Sequence, residues 1–225
     1  MGQHPHSFQK KVRITVRAKY WLYLPPGYRQ GKAKWPLILF LHGAGERGDD
    51  LSQVAIHGPP KLVAKKGQAL PFVIVSPQCP KDEWWNNKLQ TATLESLLDD
   101  VVSRYRIDTR RIYITGLSMG GFGTWTLAAA HPDQFAAIAP ICGGGNPADA
   151  ARIAHLPAWV FHGAKDEAVP LSRSQEMVKA LRKAGGKPKF TVYPDAGHDS
   201  WTAAYSNPAL YQWFLQHSRA PKKRP

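Results

Sequence analysis

The sequence contains few cysteines and no long apolar segment. Only Cys79 and Cys142 occur among its 225 residues, so a scaffold of several disulfides is excluded. Each follows an apolar run that is typical of a strand, and we expect both to be buried free thiols. The longest apolar runs, 37–41 and 72–75, are much shorter than the ~20 residues that a bilayer-spanning helix needs. Because residues 1–19 lack the apolar core of a secretory signal, the sequence predicts neither a signal peptide nor a transmembrane segment.

Acidic residues are also scarce. There are 16 Asp and Glu against 30 Lys and Arg, which gives a formal net charge of +14. The basic residues are scattered along the chain, with a short basic tail at 218–225, and no nucleic-acid-binding motif accompanies them. This pattern predicts a solubilising surface and no nucleic-acid or membrane partner, while a preference for anionic substrates stays open. No residues have metal-ligand spacing, so we expect neither a metal nor an organic cofactor.

Short β-rich runs alternate with helix-length amphipathic segments along the chain. The alternation predicts a single α/β domain over residues 1–225, with a mostly parallel sheet of about eight strands and helices on both faces. We expect the sheet to open with a hairpin made of residues 11–15 and 17–24. The later predicted strands are 36–41, 72–76, 111–115, 136–141, 158–161 and 190–193.

Helical periodicity between these strands predicts the covering layers. A helix lies within residues 51–66, where Pro59 and Pro60 either disturb its middle or mark its true start. Between the strands that end at 141 and begin at 158 there is room only for a Gly-rich loop and a short helix. The sequence therefore predicts no lid domain at this point and an open site. The other predicted helices are 89–105, 118–130, 172–184 and 208–216.

One segment joins a predicted strand to a predicted helix through closely spaced glycines. It reads Gly-Leu-Ser-Met-Gly-Gly over residues 116–121 and matches the G-x-S-x-G pattern, in which a serine occupies a strained turn. Glycines two residues to either side of Ser118 let the strand and the helix approach each other. A Gly-rich turn that serves only helix packing is the alternative. The flanking strand and helix favour Ser118 as a nucleophile.

An acid and a histidine follow later strands in the chain order that such a site uses. Asp166 lies just beyond the strand at 158–161, and His198 follows the strand at 190–193. Serine is a weak nucleophile at its ordinary pKa, so it needs an imidazole to accept its proton and a carboxylate to orient that imidazole. We therefore predict Ser118, Asp166 and His198 as the catalytic residues. The competing acids are Glu167, Asp195 and Asp199.

The loop 42–48, His-Gly-Ala-Gly-Glu-Arg-Gly, directly follows a central strand. The tetrahedral intermediate of acyl transfer carries a negative oxygen, which two backbone N–H groups must stabilise. We assign these groups to Met119, the residue after the nucleophile, and to Ala44 in this loop. A plain Gly-rich connection and a phosphate-binding loop are the alternatives, although the second lacks the Gly-Lys-Ser/Thr ending and the Rossmann spacing.

Aromatic residues accompany the predicted site loops. Trp84, Trp85 and Trp201 lie close to them in sequence, and Trp85 and Trp201 are predicted to line an acyl or alcohol pocket. Core packing is the alternative for both. We expect the other histidines to be structural or surface residues, and His42 and His162, at strand ends, to hold loops through hydrogen bonds.

With these motifs in this order, the chain resembles the small, lidless serine esterases of the α/β-hydrolase superfamily. The esterases that it resembles are grouped near the dienelactone hydrolases, polyhydroxybutyrate depolymerases and prolyl-oligopeptidase-like esterases. The resemblance extends from residue 22 to the last predicted helix and implies an α/β-hydrolase fold. Dienelactone hydrolases proper use a cysteine nucleophile, so Ser118 argues against that particular reaction.

The residues and the resemblance together predict a serine carboxylesterase. It would cleave short-acyl or exposed carboxylic esters, small or polymeric, through an acyl-enzyme on Ser118. A polyester or polyhydroxyalkanoate esterase and a feruloyl or acetyl-sugar esterase are the alternatives within this class. A serine peptidase and a catalytically silent binding protein are the rival classes.

Overall fold

A computed structural model describes residues 4–10, 13–65 and 68–220 of the chain. These ranges contain seven strands and seven α-helices. The strands are β1 (Tyr20–Tyr23), β2 (Trp35–Leu41), β3 (Val73–Pro77), β4 (Ile107–Leu117), β5 (Ala137–Ile141), β6 (Trp159–Gly163) and β7 (Lys189–Tyr193). The helices are α1 (Gly58–Ala64), α2 (Lys88–Arg104), α3 (Met119–Ala130), α4 (Ala150–Ile153), α5 (Ser172–Lys183), α6 (Trp201–Ser206) and α7 (Pro208–Leu215).

The seven strands form one sheet in the order β1-β3-β2-β4-β5-β6-β7. Only β1 runs antiparallel to its neighbour, and the other strands pair in parallel. The prediction of a mostly parallel sheet with flanking helices is confirmed. The described ranges contain seven strands rather than about eight.

The missing strand is the first arm of the predicted opening hairpin, and that prediction is wrong. Residues 13–15 form no strand, residues 11 and 12 lie outside the described ranges, and the second arm is shortened to β1, which pairs with β3. Ile14 is 66% exposed, and its neighbours are exposed as well. The segment therefore buries too little apolar surface to offset the backbone entropy that a strand loses on ordering.

Alternating residues of the central strand β2 serve the two faces of the sheet. Leu37, Leu39 and Leu41 belong to the buried cluster that contains residues of α2, α3, α4 and α5, whereas Ile38 and Phe40 belong to the cluster that contains residues of α6 and α7 and against which α1 packs. All five side chains are fully buried. Both faces are covered, which explains why the strand is apolar throughout instead of alternating with polar residues.

The two prolines of the segment 51–66 mark the start of a helix. Helix α1 begins at Gly58, and Pro59 and Pro60 stand in its first turn, where N–H groups have no partner within a helix. Residues 51–55 form a separate 3₁₀ turn that the Asp50 side chain caps. Residue 66, the predicted end of this helix, and residues 221–225 of the basic tail lie outside the described ranges.

The connection between β5 and β6 is short. Residues 142–158 contain a 3₁₀ turn, Pro147–Asp149, and the four-residue helix α4, so no lid domain is inserted there. None of the helices in the described part of the chain is long and apolar enough to span a membrane.

Candidate active site

Ser118 occupies a strained turn between β4 and α3. Its backbone has φ 51° and ψ −115°, a conformation that residues other than glycine rarely adopt. The turn is tightly packed, because a Cβ atom added at Gly120 would lie 2.0 Å from the carbonyl oxygen of Leu41, and one at Gly116 would lie 2.4 Å from the carbonyl oxygen of Gly120. Both glycines are therefore required for the close approach of β2, β4 and α3.

A continuous chain of hydrogen-bond contacts joins the three predicted catalytic side chains. Ser118 Oγ lies 3.0 Å from His198 Nε2, and His198 Nδ1 lies 2.8 Å from Asp166 Oδ2. The three residues follow the carboxyl ends of β4, β7 and β6, which all meet at one edge of the parallel sheet. The His198 side chain is 28% exposed, and the side chain of Asp166 is fully buried.

The loop after β6 holds the Asp166 carboxylate in place. Oδ1 accepts hydrogen bonds from the backbone N–H groups of Ala168, at 3.0 Å, and Val169, at 2.8 Å. His162 Nε2 lies 3.2 Å from Oδ2. Charge-assisted bonds of this kind stabilise an ionised carboxylate and restrict its orientation.

The competing acids make other contacts. Asp199 accepts hydrogen bonds from the N–H and hydroxyl groups of Thr202, and Asp195 pairs with Lys165 at 2.9 Å. Glu167 is exposed. Of the four acids, the structure brings Asp166 to His198.

His42 and His162 hold loops, as expected from their places at strand ends. His42 Nε2 accepts the N–H group of Cys79 at 2.9 Å, so its proton is on Nδ1, which donates to the carbonyl oxygen of Gly43 at 2.6 Å. Burial lowers the pKa of His42 to about 4, which keeps the ring neutral. His162 is fully buried and contacts Ser174 Oγ and the carbonyl oxygen of Val169.

The two N–H groups assigned to the oxyanion both stand at the start of helical turns. Ala44 begins a 3₁₀ turn, Ala44–Glu46, and Met119 begins α3. The first N–H groups of a helical turn have no partner within it. In the described ranges, neither group donates a hydrogen bond to another protein group. Both are thus available to a negatively charged oxygen.

The tryptophans near the site differ in their surroundings. Trp85 is 1% exposed, and its indole N–H donates to the carbonyl oxygen of His42 at 3.0 Å, which favours the core-packing alternative for this residue. Trp201 is half-buried, and its ring lies edge-on to His198, with 5.2 Å between ring centroids. Trp84 is 46% exposed and carries the Arg47 guanidinium 5.0 Å from its ring centroid.

Both cysteines are free and buried, as predicted. Cys142 Sγ lies within 4.8 Å of a ligand-type atom of Asp166 and of His198. Burial raises the pKa of the Cys142 thiol to about 12, so the free thiol is protonated at neutral pH.

Sequence reasoning missed the contacts of Glu46 and His57. Glu46 is 6% exposed, and its carboxylate accepts the N–H group of Gly43 at 2.7 Å. His57 Nε2 lies 3.9 Å from Glu46 Oε1, and the His57 ring packs against Trp201 with 5.4 Å between centroids. The only available sequence signal was an acid inside the Gly-rich loop, three residues after Gly43.

Comparisons with known proteins find esterases similar to this chain. A protein-family model described as "Putative esterase" matches residues 12–224. The crystal structure of a thermostable esterase is similar, with 35% identity and a TM-score of 0.79 over 91% of this chain and 60% of that chain. A ferulic acid esterase structure shares 26% identity and a TM-score of 0.65, covering 87% of this chain and 89% of that one.

Among curated proteins, a "Putative carboxymethylenebutenolidase" of Escherichia coli (strain K12) is 32% identical over 134 residues. The match covers 51% of this chain and 49% of that protein, so this chain spans about half the length of such relatives. The resemblance to esterases of the α/β-hydrolase type is confirmed. Because the matched family covers nearly all of its length, the chain belongs to this esterase family.

Proposed function

We propose that the protein is a serine carboxylesterase in which Ser118 forms the acyl-enzyme. The observation that carries this proposal is the unbroken contact from Ser118 Oγ to His198 Nε2 and from His198 Nδ1 to Asp166. An imidazole held between a hydroxyl and a buried carboxylate is the arrangement that activates a serine. Its position beside two available N–H groups, those of Ala44 and Met119, is what acyl transfer requires.

In the proposed reaction, Ser118 Oγ attacks the ester carbonyl carbon while its proton moves to His198 Nε2. The carbonyl oxygen becomes negative and accepts hydrogen bonds from the N–H groups of Ala44 and Met119. When the tetrahedral intermediate collapses, the C–O bond to the alcohol breaks and His198 gives its proton to the leaving oxygen. A water molecule then attacks the acyl-enzyme with His198 as base, which releases the carboxylic acid and restores Ser118.

Short-acyl or otherwise exposed esters are the substrates that we propose. The short connection of residues 142–158 supplies no apolar cover for a long acyl chain. Trp201, beside His198, offers an aromatic wall for one side of the ester. Feruloyl or acetyl-sugar esters and polyesters are alternatives of the same class, and the similar ferulic acid esterase supports an aryl ester as a test compound.

Replacement of the nucleophile tests the proposal. In Ser118→Ala, kcat for p-nitrophenyl acetate should fall by about 10⁴ to 10⁶, as in measured serine triads, and labelling by a fluorophosphonate probe should disappear. Ser96→Ala is the matched control, because Ser96 is exposed on α2 and bonds only to a helix carbonyl. A Ser118→Ala protein that keeps a tenth of the wild-type kcat would refute the assignment.

The two rival classes give different results with the same protein. A serine peptidase would also cleave a peptide anilide, more slowly than the equivalent ester because an amide is the harder bond to break, and this cleavage would be lost in Ser118→Ala. A binding protein on a hydrolase scaffold would neither turn over esters nor react with the fluorophosphonate. We expect ester turnover and labelling that depend on Ser118, with no anilide cleavage above the Ser118→Ala background.

A further inference from the structure

We propose that Glu46 is a positioning residue that holds the oxyanion loop, residues 42–47, in the form that directs the Ala44 N–H group at the reacting carbonyl. This role rests on the proposed esterase function, because it acts on a group assigned to that reaction. Glu46 would touch neither the substrate nor the reacting atoms. It would act through the backbone of Gly43, whose N–H group donates to Glu46 Oε2 at 2.7 Å.

The peptide group before Gly43 is held from both of its sides. Its N–H group donates to the Glu46 carboxylate, and its carbonyl oxygen, that of His42, accepts the indole N–H group of Trp85 at 3.0 Å. The bond to Glu46 is charge-assisted and is therefore about twice as strong as a bond between neutral groups. The carboxylate is nearly buried, so water does not compete effectively for the Gly43 N–H group.

The next peptide group contains the Ala44 N–H. Its carbonyl oxygen, that of Gly43, accepts a hydrogen bond from His42 Nδ1 at 2.6 Å. In a trans peptide the N–H and C=O groups point in opposite directions, so this bond turns the Ala44 N–H group away from His42. The peptide group after Ala44 is held as well, because its carbonyl oxygen accepts Arg47 Nε at 2.9 Å.

Side chains thus hold three consecutive peptide groups of the loop through hydrogen bonds. In the part of the chain that the structure describes, the N–H groups of Gly43 and Ala44 differ in this respect: the first is bonded to Glu46 and the second has no protein partner. Loss of the Glu46 carboxylate would free the peptide group that carries the Gly43 N–H. The orientation of the next peptide group, which carries the Ala44 N–H, depends on that of the first. The expected consequence is a weaker oxyanion interaction with little change in substrate binding.

The Glu46 carboxylate is also connected, through two aromatic contacts, to the loop that carries His198. Its Oε1 atom lies 3.9 Å from His57 Nε2, and the His57 ring packs on Trp201, which packs on His198. The loop that carries Ala44 and the loop that carries His198 are therefore joined through contacts that begin at Glu46. This arrangement supports a role in the site rather than in remote packing.

The test compares Glu46→Gln and Glu46→Ala with the control Asp50→Asn. Asp50 is an exposed acid four residues away, and it caps the next turn through Ser52. We expect kcat for p-nitrophenyl acetate to fall by about 100-fold in Glu46→Ala, the loss that follows removal of one oxyanion donor. In Glu46→Gln, whose amide oxygen still accepts a neutral bond, kcat should fall by about threefold to thirtyfold. KM should stay within about threefold in both, and Asp50→Asn should match the wild type.

A boronic acid inhibitor supplies a readout that a merely structural role would not change. It forms a tetrahedral adduct with a serine and thus reports the oxyanion site directly. Its inhibition constant should rise in the order wild type, Glu46→Gln, Glu46→Ala, in step with the loss of kcat. If Glu46→Ala does not fold, Glu46→Gln decides alone, because it preserves the shape of the side chain.

Unchanged kcat and boronate affinity in folded Glu46 variants would overturn the positioning role. Failure of the esterase proposal looks different: the wild type itself would then lack turnover that depends on Ser118. The two outcomes are separated by measuring Ser118→Ala in the same series.

Discussion

Asp166 precedes His198 in the sequence and Asp199 directly follows it, yet of these two acids Asp166 is the one that contacts the imidazole. Its buried carboxylate meets His198 Nδ1 at 2.8 Å, while Asp199 bonds to Thr202. Asp166→Asn should therefore lower kcat by about 10² to 10⁴, because an amide does not stabilise the protonated imidazole or hold its tautomer. Asp199→Asn should stay within about threefold of wild type. Steady-state kinetics on a short ester give the ranking, and the reverse ranking would show that the orienting acid is wrongly assigned.

Among individual residues, the sequence allowed prediction of those that belong to a motif directly after a strand. Ser118, Asp166 and His198 each follow a strand whose apolar run is visible in the sequence, so their meeting at one sheet edge could be inferred. Glu46 and Trp85 could not be assigned in this way. Their roles depend on how two loops close against each other, and no periodicity in the sequence reports that closure.

The geometry of the turn at Ser118 depends on Gly120, one of its two closely packed glycines. A Cβ atom at Gly120 would lie 2.0 Å from the carbonyl oxygen of Leu41 and 2.8 Å from that of His42, and backbone of a central strand cannot move away easily. Gly120→Ala should lower the free energy of unfolding by about 3 kcal/mol, the upper range for an overpacked core. Thermal and urea unfolding would measure the change.

Gly45→Ala is the matched control for this substitution. Gly45 lies in the 3₁₀ turn of the oxyanion loop, and a Cβ atom there would meet no heavy atom within 4 Å. Its unfolding free energy should stay within about 1 kcal/mol of wild type. Equal stability of the two variants would mean that the contact between α3 and β2 is looser than the structure indicates.

Secondary structure could be predicted where a segment is buried on both faces or punctuated by proline. The strands β2 to β6 and the start of α1 at the two prolines are of this kind. The prediction of an opening hairpin was wrong because alternation of polar and apolar residues does not reveal whether a layer of helices covers the segment. Residues 13–15 have none and stay out of the sheet.

For the molecule as a whole, a buried neutral histidine links stability to pH. The pKa of His42 is about 4 in the folded state and about 6.5 when the chain is unfolded, so below pH 6.5 protons bind preferentially to the unfolded chain. The contribution of His42 to the free energy of unfolding is therefore fully present above pH 6.5. It is lost as the pH falls toward 4, and the total loss from this group is about 3 kcal/mol. Urea unfolding at pH 7 and pH 4.5 measures the effect.

Two variants separate His42 from the other titrating groups. His42→Gln should show a smaller loss of stability between the two pH values than the wild type, although it is less stable at pH 7. His155→Gln, which alters a largely exposed side chain, should keep the wild-type difference. An unchanged pH difference in His42→Gln would contradict a neutral, buried imidazole.

The open face of the molecule determines which acyl chains can be sheltered. Because residues 142–158 form only two short turns of helix, kcat/KM should be highest for acetyl to butyryl esters and fall by about tenfold or more at decanoyl. A panel of p-nitrophenyl esters of increasing length gives the profile. A steady rise toward palmitoyl esters, with activation at a lipid interface, would contradict the absence of an apolar cover.

The order of the strands in the sheet could not be predicted from patterns in the sequence. Apolar runs identify strands, but the order β1-β3-β2-β4-β5-β6-β7 arises from contacts between residues far apart in the chain, such as Leu37 with Ile112. The resemblance to a known family supplied the fold where periodicity alone could not. Helices on both faces followed from the lengths of the segments between strands.

The position of β7 has a consequence for how the protein loses activity. Among the described residues this strand is the outermost of the sheet on its side and pairs only with β6. It is partly buried, and the chain continues from it to His198. Opening of this edge would carry the imidazole away from Ser118 while the central strands remain folded. Catalysis would thus be lost at lower denaturant concentration than core tryptophan fluorescence, and enzymatic activity would measure the local stability of one sheet margin rather than of the whole protein.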